Sequence, residues 1–353
     1  MKSWGMLVLC LTLLVACARP RAQLPEVRAV WVSNTDRLDW DTATRQLQQY
    51  GFNTMDVNFA TGGAAFYPSK FLPNIVGDDP LANGIALARQ RGIQVHAKLI
   101  ATFMFKSPPE FQKRYLATNR VMRGPDGQPI TQAGQYWLCP TVEANRTLLA
   151  GVTTEILTRY PVAGLHFDYI RFSEQPSCFC DVCRREFERT LGQPVSRWPR
   201  DVTEGALAPR FKQWQRDIIT SIVRDLTTLA RRTHPPIILS SAVFSDLNRS
   251  REEKAQDWKK WLDAGYLDYV CTMTYTPNPT EFTALIRNQL NWTGHSRRLV
   301  VGIGSWKFAE RSQLRTQIDI TRRLGANGFA LFSYDDCAAR DFFPTAGRAG
   351  RAE

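Results

Sequence analysis

Short apolar runs alternate along the chain with longer stretches in which apolar residues recur every three or four positions. The short runs have strand length and are typical of buried parallel strands, whereas the longer stretches have the spacing of amphipathic helices. Gly and Pro residues stand between several of these segments and mark turns. The predicted strands are Val27–Ser33, Phe52–Ala60, Ile93–Ile100, Gly164–Phe172, Ile237–Phe244, Leu267–Thr276, Leu299–Ser305 and Gly328–Tyr334.

The predicted helices alternate with these strands. They are Asp41–Tyr50, Leu81–Arg91, Val142–Tyr160, Ala208–Thr233, Asp257–Ala264, Glu281–Leu290 and Arg311–Leu324. Alternation at this count, without a break in composition, predicts an α/β protein with a single-domain (β/α)8 TIM barrel. An open nucleotide-binding sheet is not favoured, because residues 33–36 after the first strand contain no glycine. A long loop that contains Pro108 and Pro109 is predicted after the third strand.

The amino-terminal segment differs in composition from the rest of the chain. One lysine precedes an apolar run that is too short to span a bilayer as a mature helix, and the run closes on Leu14-Val15-Ala16-Cys17. This resembles the signal of bacterial lipoproteins and predicts removal of residues 1–16, lipid attachment to Cys17 and a tether over residues 17–25. An ordinary signal peptide or a short anchor is the alternative. The barrel is expected over residues 26–345, followed by a disordered tail over residues 346–353.

The lipid anchor implies a place in the cell envelope, either on the outer face of the inner membrane or in the outer membrane. The chain has 45 basic and 33 acidic residues and a net charge of +12. This charge favours anionic neighbours such as lipid headgroups or acidic glycans. No nucleic acid partner is expected, because the basic residues are spread out and no nucleic-acid-binding motif accompanies them.

Acidic residues near the carboxyl ends of the predicted strands are the candidates for catalysis, since TIM-barrel enzymes place their catalytic groups there. Asp168 is the main candidate, and Arg171 is expected to hold it ionised, unless the two form only a structural salt bridge. Glycoside hydrolysis needs a second carboxyl group. The candidates for this second group are Asp246, Asp335, Asp336 and Glu174.

Aromatic and polar side chains at the same strand ends suit a sugar, whose C–H faces stack on rings and whose hydroxyl groups need polar partners. The candidate substrate-binding residues are Asn58, His96, Arg171, Tyr275, Trp306 and Tyr334. His96 is interpreted as a partly buried histidine of the rim rather than as a base. No cofactor is expected for catalysis of this kind.

Eight cysteines are present, of which Cys17 is assigned to the lipid. Four others, Cys139, Cys178, Cys180 and Cys183, combine a C-x-C-x2-C spacing with one distant thiol. Their spacing suits a structural zinc ion, but an exported protein also forms disulfides, and the sequence favours neither. Either arrangement is expected to brace the loop over the site. Cys271 and Cys337 are expected to be buried free thiols or an isolated pair.

Several stretches together carry a resemblance to a known family. They are Glu26–Val32, Gly164–Phe172, Trp258–Val270, Met273–Tyr275 and Gly328–Tyr334. In these stretches the chain resembles the glycosyl-hydrolase-like family 10 domain of bacterial envelope proteins, over nearly all of residues 26–341. The resemblance implies a glycosidase-type barrel, a polysaccharide substrate, a catalytic Asp168 and a subsite role for Tyr275.

We therefore expect a glycoside hydrolase that acts on an envelope or extracellular polysaccharide. Two alternatives remain open. One is a non-catalytic barrel that binds glycans, which is favoured by the absence of an obvious second glutamate at a strand end. The other is a basic scaffold for peptidoglycan or another anionic surface. Oligomeric state does not follow from the sequence.

Overall fold

The fold is a closed barrel of eight parallel strands in a computed structural model, which describes residues 26–173 and 176–348. Each strand pairs with the next along the chain, and the last pairs with the first. The strands are β1 Val27–Val32, β2 Thr54–Ala60, β3 Gln94–Ile100, β4 Gly164–Asp168, β5 Ile238–Phe244, β6 Tyr269–Met273, β7 Leu299–Gly304 and β8 Gly328–Phe332.

Helices surround the barrel and confirm the predicted single-domain (β/α)8 architecture. They are α1 Trp40–Gln49, α2 Pro80–Gln90, α3 Pro109–Ala117, α4 Glu143–Arg159, α5 Asp181–Leu191, α6 Arg200–Thr203, α7 Ala208–Thr233, α8 Leu247–Lys254, α9 Trp258–Asp263, α10 Pro279–Thr293, α11 Arg311–Arg323, α12 Tyr334–Ala339 and α13 Phe343–Arg348. Short 3-10 helices cover Thr35–Arg37, Ser296–Arg298 and Ser305–Lys307. None of the helices in the described ranges is long and apolar enough to cross a membrane.

Several local features differ from the sequence predictions. β4 ends at Asp168 instead of Phe172, because Tyr169 adopts a φ of 49°, which extended backbone cannot accommodate. The predicted long loop between β3 and α4 contains α3 and a small hairpin, Thr131–Gln132 with Gln135–Tyr136. Helix α13 extends to Arg348, so the tail predicted from residue 346 begins inside a helix. The predicted signal and tether lie outside the described residues.

The interior of the barrel is apolar on one side and polar on the other. Alternate residues of each strand point into the lumen. The apolar side includes Ala29, Trp31, Ala242, Tyr269, Cys271, Val300 and Ala330. Gly302 makes room for the indole of Trp31, because a Cβ at Gly302 would lie 2.9 Å from that ring. Strands β2 to β4 instead bring charged side chains inward, and these lead to the site.

Candidate active site

A buried carboxylate lies between two histidines in the polar half of the lumen. Asp56 is the register partner of His96 across β2 and β3. Its Oδ1 lies 3.3 Å from Nδ1 of His96 and 3.8 Å from Nδ1 of His166. All three side chains are almost completely inaccessible to solvent. Because a buried charge is costly unless it is compensated, this arrangement calls for a counter-charge nearby.

The hydrogen bonds of His166 define its protonation state. Trp31 donates its indole N–H to Nε2 of His166 at 3.0 Å, so this nitrogen carries no proton. The proton therefore resides on Nδ1, which lies 2.8 Å from the hydroxyl oxygen of Ser240. Burial lowers the pKa of His166, in agreement with a neutral ring.

Lys98 supplies the positive charge in this interior. Burial lowers the pKa of Lys98, while the negative charges of Asp168 and Asp56 oppose that shift. For Asp56 the largest effect, burial, raises the pKa, but the Nδ1–H of neutral His166, the contact with His96 and the positive charge of Lys98 together bring it below its ordinary value. Asp56 is therefore ionised at neutral pH.

Asp168 stands where this buried network reaches the surface. Its side chain is 14% exposed, and Oδ2 lies 4.0 Å from Nζ of Lys98. The backbone N–H of Tyr169 donates to Oδ1 at 2.8 Å, because the left-handed turn at Tyr169 directs this N–H back toward the carboxylate. The Asp168 carboxylate is thus held by the buried ammonium of Lys98 and by the backbone N–H of Tyr169, and it remains partly accessible to solvent.

The predicted pairing of Asp168 with Arg171 is wrong, since the ion-pair partner of Asp168 is Lys98. Arg171 is 4% exposed, and its guanidinium stacks on aromatic rings. Its central carbon lies 4.5 Å from the ring centre of Tyr169, 5.0 Å from that of Trp137 and 5.1 Å from that of Phe244. The physical reason is the turn after β4, which takes Arg171 out of the strand.

An aromatic wall runs from the lumen to the surface beside this carboxylate. We define it as Trp31, Phe332, Tyr275 and Trp306. Ring centres along it are 6.1 Å apart for Trp31 and Phe332, 5.8 Å for Phe332 and Tyr275, and 4.8 Å for Tyr275 and Trp306. Trp306 is 44% exposed, so the wall ends in an accessible ring. Burial, followed by the charge of Asp168, raises the pKa of Tyr275 and keeps its hydroxyl protonated.

The candidates for the second carboxyl group differ in their surroundings. Asp246 caps the amino end of α8 by accepting from the N–H of Arg249 at 2.9 Å. Asp336 accepts from the hydroxyl of Ser305 at 2.6 Å. Asp335 is exposed and uses Oδ2 to accept from the side chain of Asn34 at 2.8 Å. Glu174 lies outside the described residues.

Three predicted substrate-binding residues have structural positions instead. Asn58 is fully buried and donates to the carbonyl of Ser33 at 2.8 Å. Tyr334 packs on Phe343 of α13 and donates to Gln46 of α1 at 3.3 Å. His96 is not at the rim: it is 1% exposed and lines a cavity at the amino ends of the strands. All three side chains are buried inside the protein.

Lys98, His166, Ser240 and Asp56 are contributors that the sequence analysis did not assign to the site. The spacing of polar residues in the sequence could have indicated two of them, Lys98 and His166. His96 and Lys98 are two residues apart on β3, as His166 and Asp168 are on β4, so each pair shares one face of its strand. The register between Lys98 and His166, which joins the two pairs, comes only from the structure.

The predicted cysteine cluster is present as four buried thiols. The ligand atoms of Cys139, Cys178, Cys180 and Cys183 all lie within 4.8 Å of one another. Burial raises the pKa of the Cys139 and Cys183 thiols. Cys271 and Cys337 are buried free thiols, which confirms the first of the two expectations for them.

A closed (β/α)8 barrel with a carboxylate and an aromatic wall at the carboxyl ends of its strands has its candidate active site where barrel enzymes place their catalytic groups. The chain belongs to the glycosyl hydrolase-like 10 family, whose family model matches residues 26–310. The match covers all strands through β7 and the whole cysteine cluster.

Individual relatives agree with this assignment. The glycosyl hydrolase DigH of Escherichia coli (strain K12) is 22% identical over 338 residues, covering 82% of this chain and 75% of its own. The PgaB (BpsB) glycoside hydrolase domain from Bordetella bronchiseptica superposes with a TM-score of 0.75 at 14% identity, covering 93% of this chain and 100% of that one. The cold-adapted β-galactosidase from Rahnella sp. R3 gives a TM-score of 0.70 at 14% identity, covering 93% and 56%. These structural likenesses show the shared fold.

Proposed function

We propose that this protein is a glycoside hydrolase that cleaves a polysaccharide of the cell envelope or of the extracellular space. The observation that carries the proposal is Asp168, a partly exposed carboxylate that ends an apolar strand with a buried ammonium 4.0 Å away. The aromatic wall beside it suits sugar rings, which stack their C–H faces on aromatic side chains. The relatives called glycosyl hydrolase and glycoside hydrolase domain support the same class.

In this mechanism Asp168 is the carboxylate that acts on the sugar, with the Lys98 ammonium 4.0 Å from its Oδ2 as its ion-pair partner. It acts as the nucleophile or as the base that activates water, while a protonated second carboxyl group donates to the leaving oxygen. Tyr275 keeps its proton and donates to a sugar hydroxyl, and Trp306 supplies a stacking surface. The reaction uses no cofactor, and any zinc held by the cysteines is structural.

The second carboxyl group is supplied by Asp335 or Glu174. Asp246 and Asp336 are weaker candidates, because one caps a helix and the other accepts from Ser305 at 2.6 Å. Asp335 is exposed, and Asn34 donates to its Oδ2. Glu174 follows Asp168 closely in the sequence. Asp335→Asn and Glu174→Gln are assayed separately. The substitution that abolishes turnover identifies the second carboxyl group.

The test of the function is a panel of polysaccharides assayed with the purified protein and with Asp168→Asn. The substitution should lower turnover at least about a hundredfold, since it replaces the carboxyl group by an amide of the same shape that cannot act as nucleophile or base. Asp319→Asn is the matched control, because Asp319 lies on α11 and is paired with Arg315. Equal turnover by wild type and Asp168→Asn would remove Asp168 from the mechanism.

Two other outcomes favour the alternative functions. Glycan binding without turnover on any substrate favours a non-catalytic binding barrel. Binding that weakens with salt and survives Asp168→Asn favours a basic scaffold for an anionic surface.

We further propose that residues 1–16 are removed and that a lipid on Cys17 anchors the protein in the cell envelope, on the outer face of the inner membrane or in the outer membrane. The sequence Leu14-Val15-Ala16-Cys17 supports this proposal. Fractionation tests it: Cys17→Ala should move the protein out of the membrane fraction, and an unchanged distribution argues against the anchor.

A further inference from the structure

The four buried thiols have the spacing of a tetrahedral metal site. The sulfur of Cys139 lies 3.5 Å from that of Cys183 and 3.7 Å from that of Cys180. Sulfurs around zinc, each about 2.3 Å from the metal, lie about 3.8 Å from one another in a regular tetrahedron. The S–S bond of a disulfide is about 2.05 Å long. The sulfur of Cys139 is therefore not bonded to that of Cys180 or Cys183, and its distances fit shared metal ligation.

The ligand set also selects the metal. Thiolates are soft ligands that favour zinc or iron over magnesium and calcium. Four thiolates fill the tetrahedral positions, which leaves no place for a reactive water and makes the site structural. Cys180 is the N-cap of α5 and Cys183 lies in its first turn, where the positive end of the helix stabilises negative sulfur. The backbone N–H of Arg123 lies 3.2 Å from the Cys178 sulfur and is a further donor.

These ligands join loops that are distant in sequence. Cys139 belongs to the excursion after β3, and its N–H donates to the carbonyl of Arg120 at 2.9 Å. The other three follow β4, and the N–H of Phe179 donates to the carbonyl of Arg123 at 2.9 Å. A metal at this point therefore ties the loop after β4 to the loop after β3.

The same excursion contributes to the site around Asp168. Trp137, two residues before Cys139, is 1% exposed, and its ring centre is 5.5 Å from that of Tyr169. Tyr169 in turn donates its backbone N–H to Asp168. We define the Trp137 stack as Phe103, Trp137, Tyr169 and the guanidinium of Arg171. Displacement of Cys139 would loosen this stack directly behind the catalytic candidate.

We propose that Cys139, Cys178, Cys180 and Cys183 bind one zinc ion, and that this ion holds the Trp137 stack, and through it Asp168, in position. The binding of zinc is independent of the proposed hydrolase function. Only the effect on turnover rests on that function.

Metal analysis of the purified full chain tests the site. We expect about one zinc per chain, and replacement by Co²⁺ should produce the strong thiolate-to-cobalt absorption of a tetrahedral four-sulfur site. Iron in place of zinc, or no metal together with disulfide-linked peptides in mass spectrometry, would overturn the proposal. Both measurements use the wild-type protein, so they do not depend on the folding of a variant.

A matched pair of variants separates the cluster from buried cysteines in general. Cys180→Ser should lower zinc affinity at least about tenfold and lower the melting temperature, because it removes a metal ligand. Cys337→Ser should keep the zinc, since Cys337 is equally buried but lies beside Ser305, away from the cluster. Full zinc retention by Cys180→Ser would overturn the ligand assignment.

Removal of zinc from the wild type by a chelator tests the effect on the site. We expect a lower melting temperature, a changed near-ultraviolet circular dichroism from the Trp137 stack, and turnover reduced about tenfold to a hundredfold. An unchanged dichroism spectrum in the zinc-free protein would overturn the positioning role. Absence of turnover in both forms would count against the hydrolase proposal alone, because zinc content and melting temperature are measured without a glycan.

Discussion

Replacement of Lys98 by Met is the most direct test of the charge network inside the barrel. Methionine keeps the unbranched stem and removes only the positive charge. At 4.0 Å and an effective dielectric constant of about 20, the attraction between Lys98 and Asp168 is about 4 kcal/mol. The cost of burying the ammonium opposes this attraction.

The net effect of Lys98→Met on stability depends on the two carboxylates that lose the lysine charge. Asp168 is partly exposed and can be hydrated, but Asp56 is fully buried and loses a compensating charge. Removal of one partner from a buried charge cluster costs about 3–5 kcal/mol, and we expect Lys98→Met to lower the free energy of unfolding by that amount.

A double-mutant cycle measures how much of this loss in unfolding free energy comes from the interaction between Lys98 and Asp56. Urea denaturation at pH 7.5 would compare Lys98→Met, Asp56→Asn and the double variant. Because the double variant leaves neither charge uncompensated, its loss should fall short of the sum of the single losses by about 2 kcal/mol or more. Lys113→Met, at an exposed lysine paired with Glu110, is the control and should change stability by less than about 0.5 kcal/mol. Additive single losses, within about 0.5 kcal/mol, would refute the reasoning.

Two further predictions concern Asp56 and the aromatic wall. The pKa of Asp56 in the folded protein lies below its ordinary value of 3.8, so ionised Asp56 stabilises the fold above that value, and this contribution is lost as pH falls through the lowered pKa. The stability gap between wild type and Asp56→Asn should therefore be largest at neutral pH and shrink in acid, and a gap that does not change with pH in denaturation curves would contradict this. Trp306→Ala should weaken glycan binding about twofold to tenfold in isothermal titration, through loss of a stacking surface. Phe71→Ala is its control, because Phe71 is similarly exposed but packs on Gly151 of α4, and equal losses in both variants would argue against a binding role for Trp306.

The strands and most of the long helices could be predicted from the sequence, because their signals are local. Apolar runs of strand length, such as the start of the segment Gly164–Phe172, need only neighbouring residues to be recognised. The same holds for Asp168 at the end of its strand and for the C-x-C-x2-C spacing. Helix α3 was missed because Pro108 and Pro109 were interpreted as loop residues, although proline is well suited to the first turn of a helix.

The partners of these residues were decided only by the tertiary structure. Sequence proximity favoured Arg171 as the partner of Asp168, but the positive φ of Tyr169 turns the chain and sends Arg171 into an aromatic stack. Lys98, 70 positions earlier in the sequence, meets Asp168 instead, because adjacent parallel strands place residues of the same inward face side by side.

The same physical reason applies to the cysteines and to the polar lumen. Three of the thiols are neighbours in the sequence, but Cys139 joins them through the packing of two loops onto the barrel. In the sequence Asp56 and His96 are polar residues of two separate strands, and the register of the closed barrel brings them together as a buried polar pair. The sequence by itself thus determined the elements and the residue types at their ends. The closure of the barrel, which brings distant strands together, determined which of those residues interact.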